Sequence, residues 1–299
     1  MRFAMIGAGG LGGFYGAKLF AAGNEVALIA RQRTVDAIRN NGLRVIGDTE
    51  LHLDVFATTD ANEIGEVDYV FCTPKLHQLP DALRHLKPLV GKETGVVTLQ
   101  NGVEAPSIVA TEIGENHIMP GVARVFANAD QPGVISHRGG PGSLSFGEWD
   151  GSQSGRSERL AQAAKSAGIP VPRFDNEWLD VWLKFAFVEP FGVLGAMTQK
   201  PIGFLRKELR CSLGAAVSEV LNLATARGVD VPDASLDQIM KFLDAQPKDS
   251  TSSLQRDLLT GVPSEFEGQP GAVVRLAGES GVDVPIHDLA YETLKRIAK

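Results

Sequence analysis

Two cysteines in 299 residues, Cys72 and Cys211, are too few and too widely separated to form a disulfide framework, and they fit a reducing compartment. The chain also lacks the basic excess that nucleic acid or an acidic membrane surface demands. Its 29 Lys and Arg stand against 36 Asp and Glu, a formal charge of −7. No uncharged apolar run reaches the roughly 18 residues of a membrane span. Residues 1–20 are apolar but broken by Gly7, Gly9, Gly10, Gly12, Gly13 and Gly16, and no A-x-A site follows, so they do not read as a signal peptide. These absences predict a cytoplasmic protein. The six histidines show no metal-ligand spacing and no serine sits in a nucleophile elbow, which sets aside metalloenzymes and hydrolases. With 43% apolar and 22% charged residues, the composition is that of a globular chain with length for about two domains.

What is present alternates. Residues 3–6 read as a short buried strand, 7–10 as a tight turn, 11–22 as a helix closed by Gly23, and 25–29 as the next strand. A helix over 34–41 with Gly42 as its stop and extended segments at 43–46 and 51–56 follow. Buried strands at 68–72 and 96–99 come next, each leading into a turn and a helical stretch. This spacing predicts an α/β fold with a Rossmann-type, doubly wound, mostly parallel sheet. Residues 134–146 read as extended, 154–167 as helical, and 168–174, with two prolines, as a handover. From residue 176 onward only helical periodicity remains, at 178–187, 202–227, 235–244, 271–280 and 288–298. The expected organisation is a dinucleotide (NADP)-binding domain over 1–174 and an all-helical substrate and catalytic domain over 175–299. The apolar stripes of those helices suit a monomer's core and a homodimer's interface equally.

Gly7-Ala8-Gly9-Gly10-Leu11-Gly12 satisfies G-x-G-x-x-G between the first strand and the first helix. The first glycine permits the turn, the second lets backbone approach a pyrophosphate, the third allows close helix–strand packing, and the helix N-terminus attracts the anion. After the second strand, where an acidic residue would grip the ribose hydroxyl of NAD, stands Ala30-Arg31-Gln32-Arg33. A guanidinium pairs with a 2′-phosphate instead, so Arg31 points to NADP(H).

Two polar clusters follow strand ends: Thr73-Pro74-Lys75-Leu76-His77-Gln78 and Gln100-Asn101-Gly102. By spacing alone each reads equally as a turn or as a site. Lys184, within apolar Trp182-Leu183-Lys184-Phe185, is either a snorkelling lysine or a partly desolvated proton donor. Residues 252–257, with Glu265 eight positions further, read as a polar loop.

In order and spacing these residues resemble the ketopantoate reductase (2-dehydropantoate 2-reductase) family, from the first strand to the last helices. Gly7, Gly9 and Gly12, Arg31, Lys75 with Gln78, and Asn101 with Gly102 stand where that family has its motifs. So do Lys184 in a W-x-K stretch and Ser253 followed twelve residues later by Glu265. The resemblance implies hydride transfer from NADPH to the ketone carbon of a 2-oxo acid, ketopantoate becoming pantoate in pantothenate biosynthesis, in the cleft between the domains. It implies Lys184 as general acid, Glu265 as the group binding the substrate's hydroxyl, and Ser253 as a contact for its carboxylate. Lys75, Gln78 and Asn101 would position nicotinamide ribose and substrate.

The chain departs from the family four and eight residues past Lys184, where asparagines are usual and Val188 and Gly192 stand. The intervening Glu189-Pro190 is expected to perturb the helix. The departure leaves the reductase chemistry in place and opens an alternative, a different 2-oxo acid or a less polar ketone. A further alternative is a cofactor-binding redox sensor without turnover, which would not require both Lys184 and Glu265.

Overall fold

The computed structural model describes residues 1–298. The chain forms two compact units, one of residues 1–100 with 105–177, the other of 101–104 with the chain from Trp178 onward. The first unit begins with β1 (Arg2–Ile6), α1 (Gly10–Ala21), β2 (Glu25–Ile29) and α2 (Gln32–Asn41). It continues through β3 (Leu43–Gly47), β4 (Leu51–Leu53), β5 (Phe56–Thr58), β6 (Val67–Cys72), α3 (Leu79–Leu83), β7 (Val90–Thr98) and α4 (Ala105–Ile113). It closes with β8 (Ile118–Arg124), β9 (Ala127–Gln131), β10 (Val134–His137), β11 (Ser143–Phe146) and α5 (Gly155–Ser166).

Seven strands make one sheet in the order β11-β8-β7-β6-β1-β2-β5, parallel throughout except for β11 against β8. Both faces are covered, which is why β1 and β2 are apolar and buried at every position after the first. Alternate residues feed opposite cores. Phe3 and Met5 pack with Phe14, Tyr15 and Leu19 of α1, while Ala4 and Ile6 pack with Val70, Leu79 and Val96. The chain runs outward from β1 through β2 and β5, then returns to β6 on the other side, so the winding reverses between β1 and β6. That switch point is where such sheets take their ligands.

A second, four-stranded sheet, β4-β3-β10-β9, was not anticipated. The expected extended stretch 134–146 is in fact two strands in different sheets, because the chain turns at residues 138–142 between β10 and β11.

The second unit is helical: α6 (Glu177–Thr198, whose first residue clusters with the first unit), α7 (Ile202–Glu208), α8 (Arg210–Ala226), α9 (Ser235–Ala245), α10 (Ser253–Thr260), α11 (Pro270–Ser280) and α12 (Pro285–Leu294). Among the described residues after Glu177 there is no strand. The expected perturbation at Pro190 does not end α6, which continues to Thr198. Proline withholds one helical N–H, but every residue from 189 to 196 is buried, and tertiary packing outweighs the missing bond. By length and composition α6 is apolar enough to cross a bilayer, yet 67% of that window is buried in the protein. The single helix expected over 202–227 is two, broken at Leu209. The expected polar loop at 252–257 is instead the start of α10, capped by Ser252, whose hydroxyl accepts the Gln255 N–H at 2.9 Å.

Candidate functional site

The glycine loop occupies the switch point. Gly7, at φ +98°, takes a conformation that side chains avoid, and its N–H donates to the Ile29 carbonyl at 2.9 Å. A Cβ on Gly12 would run into the Gly7 carbonyl oxygen, and one on Gly10 into that of Ala127 on β9. Gly10 therefore answers to the second sheet, and Leu11 packs against the core beneath. Gly9 differs: a Cβ there would meet nothing within 4 Å, so this side of the turn is open. Gly9 also leads into α1, which has no acidic residue in its first turn. Open backbone at a helix N-terminus is what a pyrophosphate needs.

Arg31 follows β2 by two residues and caps α2 in extended conformation. It is exposed, as is Arg33, and neither makes an ion pair among the described residues; α2 has no acidic residue in its first turn. Lys75, exposed, opens a short turn after β6 that leads into Gln78, half-buried at the start of α3. Thr73 and Gln100 hold this region together. The Thr73 hydroxyl reaches the Ile6 and Gly7 carbonyls at 2.9 and 3.0 Å, and the Gln100 amide donates to Cys72 O and Pro74 O at 3.0 and 3.1 Å. Burial pushes the Cys72 thiol up to about 12, so it stays protonated and inert beneath the loop.

The other candidate residues belong to the helical unit. Asn101 Nδ2 donates to Glu265 Oε2 at 3.0 Å, and Gln269 Nε2 approaches the same oxygen at 3.4 Å. Glu265 is only 8% exposed, and Gln269 is fully buried. The segment carrying Asn101 is tied down twice more. A Cβ on Gly102 would lie 2.5 Å from the Gly268 carbonyl oxygen, and Arg275 Nη2 donates to Glu104 Oε2 at 2.7 Å. Lys184 is half-buried on α6, one turn after the fully buried Asp180. Ser253 is exposed at the first position of α10, since Ser252 does the capping.

The structure thus gathers Gly7, Gly9, Gly12, Lys75 and Gln78 around the ends of β1 and β6, and joins Asn101 to Glu265. Sequence reasoning passed over Gln269 and Asp180. Their only signals were an amide four residues after Glu265 and a carboxylate four residues before Lys184.

A glycine loop at the switch point of a parallel sheet is where such folds take a nucleotide, and the matches to known proteins make this one a nucleotide-dependent oxidoreductase acting on a ketone or CH–OH group. Residues 3–151 match the family model described as ketopantoate reductase PanE/ApbA, and residues 176–298 match that family's C-terminal model. The chain belongs to the ketopantoate reductase family. It is 30% identical to the 2-dehydropantoate 2-reductase of Mesorhizobium japonicum over 100% of this chain and 98% of that one. It is similar to the crystal structure of a PanE/ApbA family ketopantoate reductase from Ralstonia eutropha, with TM-score 0.89, 30% identity, and 99% and 98% of the two chains covered. D-mandelate dehydrogenase, solved with NADH and anilino(oxo)acetate, shares the fold at TM-score 0.87 and 22% identity, over 99% and 98% of the chains.

Proposed function

We propose that the protein uses NADPH to reduce a 2-oxo acid to the corresponding 2-hydroxy acid. The names of its relatives put ketopantoate first as substrate, which would place the enzyme in pantothenate biosynthesis. The observation that carries this reading is the bond between Asn101 and Glu265, which holds a buried carboxylate by amides in the unit that also bears Lys184. A buried carboxylate held by amides is the kind of polar arrangement that gathers at functional sites. NADPH, rather than NADH, rests on Arg31 and on the absence of an acidic residue where β2 meets α2.

The open side of Gly9 and the first turn of α1 fit the pyrophosphate, and Arg31 fits a 2′-phosphate. When bound, NADPH supplies the hydride. Lys184 donates a proton to the carbonyl oxygen as that oxygen becomes an alkoxide, and its positive charge stabilises the oxygen before the transfer is complete. Ser253 holds the carboxylate of the acid, Glu265 accepts from a substrate hydroxyl, and Lys75, Gln78 and Asn101 orient ribose and substrate. The two unpaired cysteines support a cytoplasmic site of action.

Replacing Lys184 by Ala is expected to lower kcat by about a hundredfold or more, with little change in NADPH affinity by fluorescence titration. Undiminished turnover would remove Lys184 from the mechanism. One observation favours a second reading, reduction of a different 2-oxo acid. Val188 supplies no amide one turn past Lys184, and beside Gly192 the space is taken by Leu254.

A further inference from the structure

We infer that the substrate's side chain is a bulky hydrocarbon, branched alkyl or aryl, recognised beside Lys184 by Phe187, Val188 and Phe242. This deepens the reductase reading and rests on Lys184 as its proton donor. On α6, residues three, four and seven positions beyond Lys184 share its face, which places Phe187, Val188 and Phe191 around the ammonium's own stripe. Phe191 is buried, whereas Phe187 and Val188 are only half-buried. The Phe187 and Phe191 rings stack with centroids 6.5 Å apart. Phe242 of α9 stands edge-on to Phe187, at 4.7 Å and 88°, and remains 50% exposed.

Polar groups are missing from the same surface. In the two turns after Lys184 the residues are Phe, Ala, Phe, Val, Glu, Pro, Phe and Gly. Glu189, the one polar side chain among them, is fully buried and bonded to His287 of α12, well round the helix from Lys184. At Gly192 a Cβ would lie 3.1 Å from Leu254 Cδ2 and 3.4 Å from Ser252 Oγ, so α10 closes that position. A hydroxyl brought against Phe187, Val188 and Phe242 would leave water without gaining a partner from them, whereas an alkyl or aryl group would bury apolar surface against half-buried and exposed rings.

The test measures initial rates of NADPH oxidation with pyruvate, ketopantoate, 4-methyl-2-oxopentanoate, phenylpyruvate and 2-oxo-2-phenylacetate. The expected result is a kcat/KM for at least one of the three hydrocarbon acids about tenfold or more above that for ketopantoate. Phe242→Ser should lower the ratio of that acid to pyruvate by about tenfold, chiefly through KM, because it removes an exposed apolar contact. Val188→Asn should move the preference toward ketopantoate. Ketopantoate preferred by the unmodified enzyme, or ratios unmoved in both variants, would overturn the inference. So would a change in sedimentation of Phe242→Ser with the ratio unmoved, since the patch would then be a subunit contact. If acids are reduced but the hydroxylated one is preferred, only this inference falls. If none is reduced, the reductase reading falls with it.

Discussion

On the NADPH reading proposed above, Arg31 would discriminate between the two nicotinamide cofactors by charge. It stands exposed at the cap of α2 with no carboxylate in the first turn, so a 2′-phosphate placed there would meet a guanidinium and the positive end of a helix. NADPH is expected to bind about tenfold or more tightly than NADH, and Arg31→Asp should narrow or invert that preference. Equal affinities in the unmodified protein would dismiss Arg31 from the role. Gly192 makes the opposite kind of residue-scale statement, about space. Placing an amide there as Gly192→Asn brings a Cβ within 3.1 Å of Leu254 Cδ2, and Leu254 is itself only 1% exposed. The expected cost is about 1–3 kcal/mol of stability, read by urea denaturation, and unchanged stability would mean that α10 yields easily. The sequence showed Gly192 only as a missing asparagine. Its packing role depends on a helix sixty residues on, at a distance no local pattern reports.

Helices α6, α8 and α12 are joined by a buried chain of charge. Glu219 of α8 accepts the backbone N–H groups of Ile286 and His287 at 2.9 and 3.2 Å, and also faces His287 Nδ1 at 2.5 Å. On its other side His287 Nε2 meets Glu189 of α6. With carboxylates at both ring nitrogens, the imidazole is doubly protonated. Burial would depress its pKa, but Glu189 and Glu219 together outweigh burial and hold it up at about 9. The sign follows. A histidine raised above its unfolded value of about 6.5 contributes stability that is fully present below that pH and lost as pH rises through about 9. The thermal midpoint should therefore fall between pH 7 and 9.5. Glu189→Gln should move that loss to lower pH, and superimposable profiles would deny the clamp its charge.

This clamp also helps explain why proline does not end α6: Glu189, its immediate neighbour, is bonded to His287 of α12, which Glu219 of α8 holds in turn. Periodicity could show α6 as an apolar helix, but it could not show which polar residue would be buried. It likewise missed α10, whose start depends on a serine cap in a polar run, and it missed β8 and β9. The second sheet rests on pairings such as Arg44 with Val134, and strand partners that far apart leave no mark in local alternation.

At the scale of the whole molecule, the parallel sheet was the most legible feature, because strands buried on both faces read as unbroken apolar runs at regular spacing. The passage of residues 101–104 into the helical unit was not legible, since a four-residue excursion has no periodicity. That excursion bears on the order of assembly. Asn101 waits 164 residues for Glu265, and Glu104 waits 171 for Arg275. During synthesis from the N-terminus, the strands around the glycine loop emerge and pair early, while Asn101 has nothing to hold. The carboxylate site is therefore finished late, well after the sheet around the glycine loop. A chain released before Glu265 would carry the glycine loop and Arg31 but lack the carboxylate that Asn101 secures, with half of the proposed site still on the message.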